Sequence, residues 1–165
     1  MSKGIRERLL AFLQAHRVLT VAVCDGEGQP HAAALFYAVD KKLRFYVVTD
    51  PSSQHGTAML ARGIVSGTVQ RDEQQWHEIQ GVQFRGSCRQ LDGAERVKAW
   101  ELYTARFPFV ASGNLLLTAA LTRTAMWRIE PEWMRLIDNR IAFGHKEEWQ
   151  RHREQTAFSS QRSAG

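Results

Sequence analysis

Apolar positions in the first 16 residues recur at helical spacing. Ile5, Leu9, Phe12 and Leu13 share one face, which predicts an amphipathic helix over 2–16 with Ser2 as its cap. The period then shortens. Val18–Cys24 (VLTVAVC) is a β-branched run of strand type with Cys24 among its core positions, and Asp25-Gly-Glu-Gly28 supplies a tight turn. His31–Val39 reads as the return strand and Asp40-Lys41-Lys42 as a second polar turn. Leu43–Thr49 (LRFYVVT) is a third strand, apolar enough to be buried on both faces.

The segment Asp50–Gly56 (DPSSQHG) breaks this alternation. Pro51 ends the strand, and Ser52 or Ser53 can cap a short helix that Met59 and Leu60 pack down. Gly63–Gln70 resumes the sheet, 71–76 is an exposed connection, and Glu78–Leu91 is a long strand with bulges or bends at Gly81 and Gly86. Asp92 and Glu95 have capping-box spacing and open a helix through Arg106, packed by Val97, Trp100, Leu102 and Tyr103. Phe107–Leu121 is apolar but holds Pro108 and Gly113, which predicts a loop and a short helix. Thr124–Glu130 and Trp133–Asp138 are two closing strands separated at Pro131. About six strands in hairpin order with three helices predict an α+β fold, an antiparallel barrel with helices packed outside. The expected organisation is one domain over 1–150 and a polar, flexible tail over 151–165.

Composition adds little to this and removes a good deal. The 165 residues are 44% hydrophobic and 24% charged, an ordinary globular balance for one domain that needs no disulfide or metal staple. No apolar run approaches the ~20 residues that span a bilayer, and the first 16 residues lack the features of a secretory signal. Two cysteines, Cys24 and Cys88, fit neither a zinc site nor a disulfide framework, so a cytoplasmic location is expected. The net charge of +5 divides into +1 for residues 1–82 (nine basic, eight acidic) and +4 for 83–165 (thirteen basic, nine acidic). The basic residues are interleaved with acidic ones, which describes a mixed solvated surface better than a nucleic-acid footprint.

Motifs for hydrolysis, nucleotide cradling or zinc ligation are absent from the sequence. Cys88 lies beside Arg85 and Arg89, whose charges would lower a thiol pKa, yet no partner base is evident. The segment Thr49–His55 holds more chemistry: hydroxyls at Thr49, Ser52 and Ser53, the Gln54 amide and the His55 imidazole, all at the start of a helix. Free backbone N–H groups at such a start attract phosphate. A plainer alternative stands beside this, in which Ser and Pro make a turn and a cap with nothing bound.

His31–His55 (HAAALFYAVDKKLRFYVVTDPSSQH) resembles two strands and the phosphate loop of the pyridoxamine phosphate oxidase-like, FMN-binding split β-barrel proteins, and Met126–Asp138 resembles their closing hairpin. GVQFRGSCRQLDG (81–93), ARFPFV (105–110) and DNRIAFGHKEEW (138–149) are similar to the uncharacterised bacterial YhbP-like subgroup. The resemblance implies a six-stranded antiparallel split β-barrel with flanking helices, a homodimer with a cofactor cleft between subunits, and FMN as cofactor. By the same resemblance Ala34, Leu35, Tyr37, Val48 and Thr49 would contact the flavin, and Ser53, Gln54 and His55 would hold its phosphate. Asp138–Lys146 would form the subgroup's closing motif, for which a strand-end turn is the simpler reading. No residue is assigned a catalytic role, and vitamin B6 oxidation is not implied.

The sequence departs from that pattern where the family carries arginine and lysine, since Gln54 and His55 stand there instead. Each charge-assisted bond lost is worth roughly 1.5–3 kcal/mol, or about one to two decades of affinity. Two functions follow as expectations: a flavin-dependent oxidoreductase, or a small-ligand or regulatory module that has lost tight FMN binding. Haem is the alternative ligand in the second case, with His31 or His55 as ligand.

Overall fold

A computed structural model describes residues 4–152. The elements run α1 (Ile5–Ala15), β1 (Val18–Cys24), β2 (Pro30–Val39), β3 (Phe45–Thr49), α2 (Gln54–Arg62), β4 (Ile64–Gln70), β5 (Gln80–Gln90), α3 (Gly93–Arg106), α4 (Leu115–Leu121), β6 (Ala125–Asp138) and β7 (Lys146–Gln150). Single 3₁₀ turns lie at Trp76–Glu78 and Pro108–Ala111.

Six strands close into an antiparallel barrel in the order β1-β2-β3-β6-β5-β4, as expected for an α+β split barrel, and β7 extends β6 outside the closed ring. Closure follows from the apolar alternation: Leu19, Val21, Phe45, Val47, Phe84 and Trp127 all point inward and are buried. α1 contributes Leu9, Phe12 and Leu13 to this core, and α2 contributes Ala58 and Met59. A second apolar cluster lies outside the barrel, where α3 lays Ala99 and Tyr103 over Ala38, Tyr46 and Met126.

Several local expectations are corrected. Leu43 is not in β3. It takes a left-handed conformation (φ 59°) in the Asp40 turn, whose carboxylate accepts from the amides of Lys42 and Arg44. Asp92 stands at the α3 N-cap without a side-chain cap bond, and Glu95 ion-pairs with Arg89 and Arg128, which compete successfully for its carboxylate. Val97 is exposed on α3, whereas Trp100, Leu102 and Tyr103 pack as expected and Ala99 joins them. Cys24 ends β1 and is exposed.

Pro131 does not divide the last strand. β6 runs through it, and the register against β5 shifts between Arg85 and Gly86, where a bulge absorbs the residue after the proline. Gly86 is required there, since a Cβ would stand 2.1 Å from the Glu130 carbonyl oxygen. Gly81 pairs regularly with Gln70 and Ile137 and makes no bulge. Asp138–His145 is a strand-end turn, and it leads into β7, a strand without apolar alternation. The Ser2 cap and the tail beyond His152 lie outside the described residues.

Candidate functional site

β2 and β3 pair over only three residues each, from Tyr37–Val47 to Val39–Phe45. The longer stretch of β2 before Tyr37 stays with β1 but leaves β3. α2 packs beside this stretch, whose edge β3 leaves unpaired, and we take this gap as the candidate split. The loop from Thr49 to Ser53 bridges the gap.

Asp50 organises that loop. Its Oδ1 accepts from the Ser52 amide (2.8 Å) and hydroxyl (2.7 Å), and its carbonyl accepts from the Ser53 amide (3.1 Å) and hydroxyl (2.6 Å). Hydrogen bonds from Ser52 hold the Asp50 carboxyl below the usual carboxylate range. Ser53 is the N-cap of α2, with Oγ accepting from the Gly56 amide at 3.1 Å. Gly56 lies against the loop, where a Cβ would stand 2.3 Å from the Asp50 carbonyl oxygen.

His55 projects from the first turn of α2. Its Nε2 lies 2.6 Å from Thr49 Oγ1 and 3.2 Å from Ser53 Oγ. The single Ser53 hydroxyl proton goes to the Asp50 carbonyl, so the Ser53–His55 contact is satisfied with the imidazole proton on Nε2. The ring of His31 is nearly parallel to that of His55, with centroids 6.0 Å apart. Burial, and then the neighbouring His31, push the His55 pKa below its ordinary value, so the ring is neutral at pH 7. The amides of Gln54 and His55, at the first two helical positions, have no intrahelical acceptor.

The structure therefore brings Thr49, Ser53, Gln54 and His55 to one turn, with Gln54 exposed. Val48 points the other way, outward against the α3 cluster. The β2 residues divide by alternation: Ala34 is exposed on the outer face, whereas Leu35 and Tyr37 point into the barrel. Tyr37 is fully buried and its hydroxyl donates to the Leu13 carbonyl at 2.7 Å, so its ring cannot face the same ligand as Ala34. His31 joins the site through a spatial approach that spacing in the sequence does not reveal.

Cys88 is also relocated by alternation. It points inward and is buried, and burial raises its thiol pKa to about 11. Arg85 stacks on Trp133 and Arg89 pairs with Glu95, both on the outer face, so neither activates it. Cavities of about 330, 540 and 280 Å³ have linings that do not include Ser53, Gln54 or His55. No helix among the described residues is long and apolar enough to cross a membrane.

A closed six-stranded barrel, split beside a helix that caps on Ser53, defines a fold class, and comparison with known proteins agrees. Residues 5–138 match the family model described as pyridoxamine 5'-phosphate oxidase, and the chain belongs to that family. Within it, the chain is 33% identical over 141 residues to the UPF0306 protein YhbP of Salmonella arizonae, covering 85% of this chain and 89% of that one. Among solved structures, a haem-binding protein from Mycobacterium smegmatis superposes with a TM-score of 0.75 at 14% identity, over 91% of this chain and 59% of that one. A Clostridium acetobutylicum protein of the pyridoxinephosphate oxidase family, related to general stress protein 26, superposes with a TM-score of 0.67 at 12% identity, over 91% of this chain and 96% of that one. These two likenesses establish the fold.

Proposed function

We propose that the protein binds FMN in the split between β2 and α2 and serves as a flavin-dependent oxidoreductase. The observation that carries the reading is the first turn of α2, where two helix-start amides without intrahelical acceptors lie beside the free edge of β2, on a turn that Ser53 caps. This donor set fits a phosphate monoester through hydrogen bonds and without a fixed cation. The amides of Gln54 and His55 would hold the phosphate on the turn that Ser53 caps, Thr49 would fix His55, and Ala34 would offer a small side chain to a flat ring. Val48, on the same outer face, would pack against α3, while Leu35 and Tyr37 would act from behind, by fixing the strands. A bound flavin supplies hydride and electron transfer, while the protein supplies binding and electrostatics.

A homodimer is part of this reading. On a single chain the α2 turn is open, and the outer surface near β2 exposes Phe36 and Phe109, with Leu115 and Leu116 at 85% and 84% exposure on α4. A second copy of the chain would cover such a surface, and light scattering after size exclusion measures it directly.

The test is a titration of FMN with protein, read by flavin absorbance and fluorescence, with riboflavin in parallel. The reading expects perturbed flavin spectra and tighter binding of FMN than of riboflavin. Unchanged spectra at high micromolar protein would remove it.

The His31–His55 pair favours one second reading, a non-enzymatic small-ligand module that takes haem. His31 would then be the available ligand, because His55 Nε2 is engaged by Thr49 and Ser53. A Soret band that shifts on haem titration, and is lost in His31→Ala, is its signature.

A further inference from the structure

At the barrel end opposite α2, a cleft of about 540 Å³ opens between α1 and the ends of β5 and β6. Three guanidinium groups line it, those of Arg8, Arg71 and Arg140, and their mutual repulsion calls for an account of the counter-charges. Asp138 is buried and its charge is already taken. Its Oδ1 accepts from Arg140 Nε (2.9 Å), and its Oδ2 accepts from Arg140 Nη2 (2.8 Å) and Gln80 Nε2 (2.9 Å). Arg8 ion-pairs through Nη2 with Glu147, which also takes His145.

Two cationic donors remain. Arg8 Nε is buried and has no hydrogen-bond partner among the described residues. Arg71, in the exposed connection after β4, forms no ion pair among the described residues. An N–H of a charged group without an acceptor is costly, so this donor is suited to an added acceptor in the cleft. On the same face of α1 as Arg8, the cleft is lined by a rigid pair of rings. The rings of Phe12 and His16 stack with centroids 4.2 Å apart, and His16 Nδ1–H donates to the Phe12 carbonyl at 2.7 Å, which fixes the imidazole.

We infer that this cleft binds a small organic oxyanion, a carboxylate or phosphate monoester with a flat apolar body. Arg8 and Arg71 hold the oxyanion, and the Phe12–His16 wall holds the body. The site stands at the other end of the barrel from the α2 turn and does not depend on flavin binding.

Phenyl phosphate, benzoate, inorganic phosphate and benzyl alcohol, titrated separately and followed by calorimetry and by the Arg Nε–H and Phe12 NMR signals, test it. Phenyl phosphate or benzoate should bind and shift the Arg8 Nε–H resonance, and whichever binds tighter names the head group. Arg71→Gln, at an exposed position, should weaken that binding roughly tenfold or more. Arg8→Lys, which keeps the charge beside Glu147 but lacks Nε–H, should weaken it as well. Added salt should weaken it further. Failure of both anions to bind at tens of millimolar would overturn the inference. Binding that ignores both substitutions, or that benzyl alcohol or inorganic phosphate matches, would overturn it equally.

Discussion

Thr49 Oγ1 and His55 Nε2 lie 2.6 Å apart, and this contact ties the last residue of β3 to the first turn of α2. His55 is therefore a held, neutral hydrogen-bonding group at the position where the family pattern has a fixed cation. Thr49 is nearly buried at 7% exposure, so the pair belongs to the barrel's end wall as much as to the site.

The titration of His55 follows from that setting. Its pKa lies below 6.5, through burial first and His31 second. The unfolded chain then binds a proton that the native state excludes, so this contribution to stability is complete above pH 6.5 and declines as pH falls through the folded pKa. The His55 Cε1–H resonance should titrate below 6.5, and His31→Ala should raise that midpoint only part of the way, because burial persists. A His55 midpoint at or above 6.5 contradicts the geometry.

Gln54 is exposed on the turn, and among the described residues its side chain engages no partner that its replacement would break. Gln54→Arg should strengthen FMN binding by about tenfold or more, the worth of one charge-assisted bond, and leave riboflavin unchanged. Equal gains for both flavins in a fluorescence titration would place the phosphate elsewhere.

Gly56 touches backbone on its open side. A Cβ would meet the Asp50 carbonyl oxygen at 2.3 Å and Pro51 backbone atoms at 2.9 Å. Gly56→Ala should destabilise by about 1–3 kcal/mol, which lowers the melting temperature by about 2–4 °C per kcal/mol in a chain of this size. Gly26→Ala is the control, since nothing lies within 4 Å of its Cβ position. Calorimetry of the two variants should separate them clearly.

The cysteines should differ sharply in reactivity. Cys24 is exposed, whereas Cys88 is buried with its thiol pKa raised to about 11. At mildly alkaline pH an alkylating reagent should modify one site per chain, identified as Cys24 by peptide mass. Modification of Cys88 should require denaturant, and equal native rates would refute this packing.

What could be read from the sequence and what could not divides along physical lines. The barrel strands carry strong apolar alternation, so β1 to β5 and their hairpin order were legible. β7 was not, because Lys146–Gln150 buries little besides Trp149 and carries charges on both faces of the strand. Pro131 was misleading because proline usually ends pairing, and only the bulge beside Gly86 lets β6 continue. In the site, Ser53 and its cap were visible from the Asp-Pro-Ser-Ser run. The opposed facings of Ala34 and Tyr37 follow from two-residue alternation, which a list of strand neighbours overlooks. The His31–His55 approach and the Arg8–Arg71–Arg140 cleft join segments far apart in sequence, and no local pattern announces them.

The central claim is that the α2 turn receives the phosphate of a flavin nucleotide. Amide ¹H–¹⁵N spectra of the protein with saturating FMN, compared with riboflavin at the same saturation, test it most directly. The account predicts that FMN shifts the amides of Gln54, His55 and Gly56 and that riboflavin leaves them in place. FMN that binds while those three amides stay unmoved, or that does not bind at all, would contradict it.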